Sequence, residues 1–471
     1  MSDAPVNIAF DAGTLLLENL PLEKLPVPLL RQIKYDERVS CHRCMAHLYA
    51  PLVLALRECN AAYKDEAKNF SPLKLTLNTA FSPRPHQQEA LERWKEAQCR
   101  AVTALPTGSG KTFLAVQAIN YLQRPTLIVV PTIDLLQQWT SVLEKSFNIQ
   151  IGMLGGGSRD IRDITVTTYD SAVINMEFMG NRFAFIVFDE CHHLPGAVNR
   201  TSASMSIAPY RLGLTATPEL EYEGERILSE MIGPLCCQIH IDELEGKILA
   251  PYETIQLKVE LDEDEAAAYT GNRQIYLDFV KRNGINFQRS EAWAQFLGLC
   301  ARMPGGRKVF NAFLEQKRIA RSGRAKIRKV WDLITKHTGE RIIIFTADNK
   351  TAYLLGRKFM TPVLTHHTKV AERKEMLEFF RSGKYPVLIS SKVLNEGVDV
   401  PEASVGIIVS GSGSIREHVQ RLGRILRAGK GKQALLYELI SAGTSEESVS
   451  QRRRKHRAYQ KPGFSRFGRR R

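Results

Sequence analysis

The chain has 471 residues, is 44% hydrophobic and 24% charged, and carries a net charge of +15. Its length suits about three domains, and its apolar and charged content is that of an ordinary globular protein. No apolar run approaches the ~18–20 residues that span a bilayer, and residues 1–5 open no basic stretch leading into an apolar core. Neither a membrane protein nor a secreted one is therefore expected, but an intracellular, cytoplasmic chain.

Charge is spread unevenly. Residues 451–471 hold ten Lys/Arg and no Asp or Glu, and residues 281–329 hold thirteen against Glu291 and Glu315. Two basic segments on a near-neutral body point to a polyanion partner, most simply nucleic acid. The eight cysteines are scattered, as expected of free thiols in an intracellular chain. Cys41, Cys44 and His47 have the look of metal ligands, but no second pair follows at finger-like spacing, which argues against a structural zinc.

In chain order, residues 1–80 read as a small α+β module. Val6 to Phe10 and Gly13 to Leu17 are strand candidates joined by a turn at Asp11-Ala12-Gly13, and a helix is expected from His47 to Tyr63. Arg84-Pro85-His86-Gln87-Gln88 opens an amphipathic helix through Ala97. The Gln87 amide both donates and accepts, as an adenine edge requires, so Gln87 and neighbouring Arg84 are expected on the base side of a nucleotide.

Then comes Leu105-Pro106-Thr107-Gly108-Ser109-Gly110-Lys111-Thr112, between the apolar run 101–105 and a helical pattern starting near Thr112. A strand, a glycine-rich turn and a helix start make a phosphate-binding loop. Gly108 and Gly110 let backbone N–H groups curl around an anion, with Thr107 and Ser109 completing the loop. Lys111 is expected to reach the phosphates of ATP, and Thr112 to hold Mg²⁺. Leu105 stands where the usual pattern begins with glycine.

Strand candidates follow at 126–130, 165–169, 183–188 and 211–218, separated by helical patterns, so a parallel sheet covered by helices is expected. The third ends on Asp189-Glu190-Cys191-His192. There Asp189 suits the metal of Mg-ATP and Glu190 suits polarising the attacking water. His192 is placed to couple this box to neighbouring motifs. Residues 251–325 break the rhythm as a helical basic insert, and alternation resumes with strand candidates at 341–345, 362–364, 387–390, 405–409 and 434–439. Gln420, Arg424 and Arg427 share one helix face by their spacing. Such arginines make sense when a second sheet domain closes on ATP held by the first, as arginine fingers, with Gln420 orienting the water.

The order of these segments, through Thr215-Ala216-Thr217-Pro218 and residues 420–427, resembles superfamily 2 helicases. The likeness is to the XPB-like group in its compact archaeal and bacterial form, to which Val130-Pro131-Thr132 through Trp139 and the start of the N-terminal module, residues 9–15, are also similar. The resemblance implies two RecA-like domains with ATP between them and DNA across their top, moving 3′ to 5′ or straining a duplex in repair or transcription. It implies domains at 1–80 (damage recognition), 81–250, 251–325 (thumb-like), 326–445 and a basic, flexible tail at 446–471. Thr132, Thr168 and Thr346 become candidates for phosphate contacts, and Gly397 and Asp399 for ATP. A nuclease or a repair or transcription protein becomes a candidate partner. The alternatives are a duplex translocase or ATP-driven clamp that parts no strands, or the motor of a restriction-type complex. Where the group carries an Arg-Glu-Asp triplet for duplex opening this chain has Leu220-Glu221-Tyr222.

Overall fold

The computed structural model describes residues 4–78, 82–216, 222–244, 252–287, 289, 291–391, 403–410 and 434–453. They form two units, one up to Glu243 and one from Leu244 onward.

The first unit opens with a five-stranded sheet of β1 (Val6–Asp11), β2 (Thr14–Glu18), β3 (Lys34–Asp36), β4 (Cys41–Met45) and β5 (Tyr63–Asp65), in the order β3-β4-β2-β1-β5. Ala12 and Gly13 both have positive φ, 44° and 80°. Two such residues close the tight hairpin whose twist matches its strands. The helix expected from 47 to 63 is shorter, Tyr49–Glu58. Asn60 at φ 52° turns the chain out of it, and Tyr63 instead begins β5, parallel to β1. Strands β3 and β4 went unforeseen. On β4, Cys41 and Cys44 lie an odd number of residues apart and so point to opposite faces. Burial pushes the Cys44 thiol up to about 12, which marks it as a small core residue.

This module is joined to the rest of the first unit by more than a linker. Ile207 belongs to its apolar core, and a Cβ on Gly13 would lie 2.6 Å from Met205 Cγ. The connecting strap is pinned too: Leu73 N–H donates to Gln123 O at 2.8 Å and Asn78 N–H to Ser146 O at 2.6 Å.

The second sheet of this unit contains β6 (Arg100–Ala104), β7 (Thr126–Val130), β8 (Gly152–Gly155), β9 (Ser158–Arg159), β10 (Ile164–Thr168), β11 (Phe185–Asp189), β12 (Tyr210–Thr215) and β13 (Leu235–Gln238). Their order is β13-β6-β12-β11-β7-β10-β8-β9, parallel except for β9. The central strands are apolar and buried end to end, as a sheet covered on both faces requires. Beyond expectation are β8, which begins and ends on glycine, the two-residue β9 and the half-exposed edge strand β13.

The other unit holds β14 (Tyr252–Val259), β15 (Ile342–Phe345), β16 (Val363–Leu364), β17 (Val387–Ser390), β18 (Val405–Ile408) and β19 (Ala434–Ser441). The order is β14-β19-β18-β15-β17-β16, all parallel. The segment expected to be wholly helical therefore begins with a strand: β14 lies at the sheet edge, and its Ile255, Leu257 and Val259 alternate with polar residues. Helices Glu263–Arg282, Ala292–Arg302 and Gly306–Ser322 follow, with Phe296 and Phe313 in an aromatic cluster of their own. Residues 446–453, expected in a flexible tail, form a helix. Fully buried Lys326 pairs with Glu446, and Ser450 donates to Glu438 at 2.9 Å, which fastens that helix to the sheet unit.

His47 sits where the N-terminal module meets the second sheet, 6% exposed, with Nδ1 at 3.4 Å from Ser204 O. Burial and the Arg211 charge lower its pKa to about 4. Between that value and the ordinary ~6.5 the unfolded chain binds the proton and the folded one does not, so stability rises with pH through this window. Lowering pH from 7 to 4.5 is expected to cost the first unit about 2 kcal/mol through this residue. Urea unfolding at both pH values would show it, with His47→Gln flattening the difference; an equal pH dependence in that variant contradicts the assignment.

Candidate nucleotide-binding site

Parallel strands deliver their C-terminal ends to one edge of the sheet. At that edge of the first unit lie residues 105–110 after β6, Thr132 after β7, Thr168 at the end of β10, Asp189-Glu190 at the end of β11 and Thr215 at the end of β12. Short loops after buried strands thus gather residues that are far apart in the chain.

The glycine-rich loop has the form expected. Gly108 and Gly110 adopt φ 84° and 92°, and Gly110 caps the helix Lys111–Leu122. That helix start brings free N–H groups and partial positive charge to the loop. Ser109 is turned inward, its hydroxyl donating to Pro106 O at 2.7 Å. Among the described residues Thr107 Oγ1 is buried with no hydrogen-bond partner, an orphan that a phosphate oxygen would satisfy.

Gln87 departs from expectation. Its amide nitrogen donates to Ser109 O at 3.0 Å and Gly110 O at 3.3 Å, and its oxygen accepts the Arg84 N–H at 2.9 Å. In this structure it braces the phosphate loop against the helix Pro85–Glu96 instead of offering its edge to a base. His86 helps, its Nε2 lying 2.8 Å from Ser109 O.

Opposite the loop stands the acidic pair, both residues buried. Lys111 Nζ lies 3.4 Å from Glu190 Oε1. Glu190 sits at φ 46°, a left-handed conformation that costs a non-glycine residue on the order of 1 kcal/mol and collects at functional sites. Asp189 Oδ2 accepts the Trp139 indole N–H at 2.8 Å, and Oδ1 the Glu190 N–H at 3.0 Å. Burial first, then the Glu190 charge, raises the Asp189 carboxyl to about 6, against the pull of Lys111 and these two donors. His192 Nδ1 lies 3.2 Å from Thr215 Oγ1 and 3.5 Å from Glu190 Oε2, so it does link the acidic box to the end of β12.

The donor set fits a magnesium nucleotide. Thr112, in the first turn of its helix, and Asp189 are hard oxygen donors on either side of a cradle of backbone N–H groups and one ammonium. Sequence reasoning passed over Trp139 and Tyr169. The first stood inside a quoted motif, but nothing in a sequence says that an indole donates to a carboxylate fifty positions on.

The proposed phosphate-contacting threonines fare differently. Thr132 caps the helix Ile133–Phe147 by accepting from Leu135 N at 3.3 Å, and Thr168 caps Tyr169–Met179 by accepting from Ser171 N at 3.2 Å. Their hydroxyls are committed to their own helices, whose starts offer further N–H groups. Thr346 is fully buried, its hydroxyl donating to Asp348 O at 3.1 Å and directed also to Ser390 O at 3.4 Å. Gly397, Asp399, Gln420, Arg424 and Arg427 lie outside the described residues, as do Leu220 and Glu221.

Comparison with known proteins decides the family. Residues 8–67 match the Xeroderma pigmentosum group B helicase damage recognition domain, 80–220 the type III restriction enzyme res subunit, and 325–429 the helicase conserved C-terminal domain. The chain is 36% identical to the DNA 3′-5′ translocase XPB2 of Sulfurisphaera tokodaii, over 90% of its own length and 95% of the relative's. It belongs to the XPB family. It is also 29% identical to the DNA 3′-5′ helicase XPB of Kineococcus radiotolerans, matching 80% of this chain and 63% of that longer relative. In fold it is similar to the crystal structure of the Pyrococcus furiosus Hef helicase domain, with TM-score 0.51, 17% identity, and 78% and 98% of the two chains covered. The two large parallel sheets are accordingly RecA-like helicase domains, with an XPB-type damage-recognition module ahead of them.

Gly110 offers a direct test. A Cβ there would lie 2.2 Å from Gln87 Nε2 on a backbone at φ 92°. Gly110→Ala is expected to weaken binding of a fluorescent ADP about tenfold or more, since the loop must shift to admit the methyl group. Unchanged affinity contradicts the cradle.

Proposed function

We propose that this XPB-family chain is an ATP-dependent DNA translocase of 3′ to 5′ polarity that unwinds or remodels DNA in repair or transcription. The observation that carries the ATP site is the grouping of half-buried Lys111 with buried Glu190 and Asp189 beside the glycine loop. Lys111 neutralises charge on the phosphates. Glu190, 3.4 Å from the Lys111 ammonium, accepts a proton from the attacking water. Thr112 and Asp189 would hold Mg²⁺, which would supply charge neutralisation to the phosphates. From the second RecA-like domain Arg424 and Arg427 stabilise the transferring phosphoryl group, Gln420 orients the water, and Gly397 and Asp399 contact the nucleotide. Arg84 lies on the base side.

DNA is the polyanion that the basic segments at 281–329 and 451–471 suit, with the helix starts at Thr132 and Thr168 as backbone contacts. We assign the domains to residues 1–80, 81–250, 251–325 and 326–445, with strand β14 opening the third interval. A nuclease or a repair or transcription protein is the proposed partner class. Among the described residues no helix is long and apolar enough to cross a membrane, and a cytoplasmic setting suits a DNA motor.

A second reading is a duplex translocase that parts no strands. It is favoured by Tyr222, 85% exposed at the start of helix Tyr222–Met231, where the family triplet would place a carboxylate.

Steady-state ATP turnover tests the proposal. DNA is expected to raise it about tenfold or more and RNA to leave it near the basal rate, while Lys111→Ala lowers it about a hundredfold with the fold intact. Stimulation by RNA alone, or full turnover in Lys111→Ala, contradicts the proposal.

A further inference from the structure

Two side chains with no part in the proposed chemistry hold Asp189 from behind. Trp139, 1% exposed, donates its indole N–H to Asp189 Oδ2 at 2.8 Å. Tyr169, also buried, donates its hydroxyl to the Asp189 main-chain oxygen at 3.1 Å. Carboxylate and carbonyl of one residue are thus each tied to a different neighbouring element. Those elements are the two helices capped by Thr132 and Thr168: Trp139 lies in the second turn of Ile133–Phe147, and Tyr169 is the first residue of Tyr169–Met179. The helices follow β7 and β10, and β7 lies directly beside β11, which carries Asp189.

The physical consequence comes from rigidity. Both rings are closely packed, Tyr169 stacking on Phe188 with centroids 6.4 Å apart. A helix start drawn toward a phosphate cannot shift without carrying its buried ring along, because packed interiors do not absorb displacement gradually. A hydrogen bond loses strength steeply as its angle and length depart from ideal. Movement at Thr132 or Thr168 therefore reaches the Asp189 carboxylate as a change in how firmly it is aimed.

We propose that Trp139 and Tyr169 are positioning residues that couple DNA-backbone binding at the Thr132 and Thr168 helix starts to the setting of Asp189 toward a magnesium nucleotide. The inference rests on the reading of those helix starts as DNA contacts. Coupling of this kind is reciprocal, so magnesium nucleotide must also change DNA affinity by the same factor.

The test is a binding measurement on the full chain. The dissociation constant of a fluorescent ADP with Mg²⁺ is measured with and without single-stranded oligothymidylate, and the ratio is the coupling factor. The wild type is expected to give a ratio departing from one by about fivefold or more. In Trp139→Phe and Tyr169→Phe the ratio falls to within about twofold of one, while affinity for ADP without Mg²⁺ and for DNA alone stays within about threefold. Tyr169→Phe keeps the ring and removes only the hydroxyl, so it carries the test even where Trp139→Phe weakens the fold. A wild-type ratio retained in both variants overturns the proposal, and so does an equal loss of affinity with and without DNA, which marks a merely structural role. A ratio of one in the wild type contradicts the DNA-motor reading itself.

Discussion

The first motor domain depends on keeping two adjacent carboxylates, Asp189 and Glu190, buried at the end of one strand. Isolated from water, such a pair resists ionisation, since desolvation and mutual repulsion both favour the neutral acids. The surrounding structure opposes this with oriented donors: the Lys111 ammonium near Glu190, the Trp139 indole and the Glu190 N–H on Asp189, and His192 between Glu190 and Thr215. They come from three segments: the helix after the glycine loop, the helix Ile133–Phe147 and the turn that follows β11. The acidic pair is thus the point on which the glycine loop, the helix Ile133–Phe147 and the end of β12 must agree. The Mg²⁺ of a bound nucleotide would bring positive charge to where the structure concentrates negative charge.

The strands of the first motor domain were legible in the sequence because doubly covered parallel strands are continuous apolar runs, as β7 and β11 are. Strands that break this rule were missed for the same reason. Glycine flanks β8, β13 is a half-exposed edge, and β14 alternates polar with apolar residues in a segment otherwise helical. The Tyr49–Glu58 helix ended early because a left-handed turn at Asn60 is no part of an apolar pattern.

The site was legible where chemistry follows from local spacing. Glycines before a lysine and a helix, and acids at a strand end, are local signals, and Gly108, Gly110, Lys111, Asp189 and Glu190 do come together. Roles that depend on where a side chain turns were not legible. Gln87 spends its amide on the loop backbone, Thr346 faces inward, and Trp139 and Tyr169 find Asp189 only through the sheet order. The N-terminal module likewise looks separable by composition, yet it shares core residue Ile207 with the domain it adjoins.

Whether the energy of ATP at this site becomes motion on DNA is decided most directly by displacement of a third strand from a triplex, with the wild type compared with Glu190→Gln. The account predicts ATP-dependent release by the wild type. It predicts no release by Glu190→Gln, which keeps the phosphate loop and Lys111 and so still binds ATP. Release undiminished in Glu190→Gln, or none by a wild type that hydrolyses ATP on DNA, would contradict it.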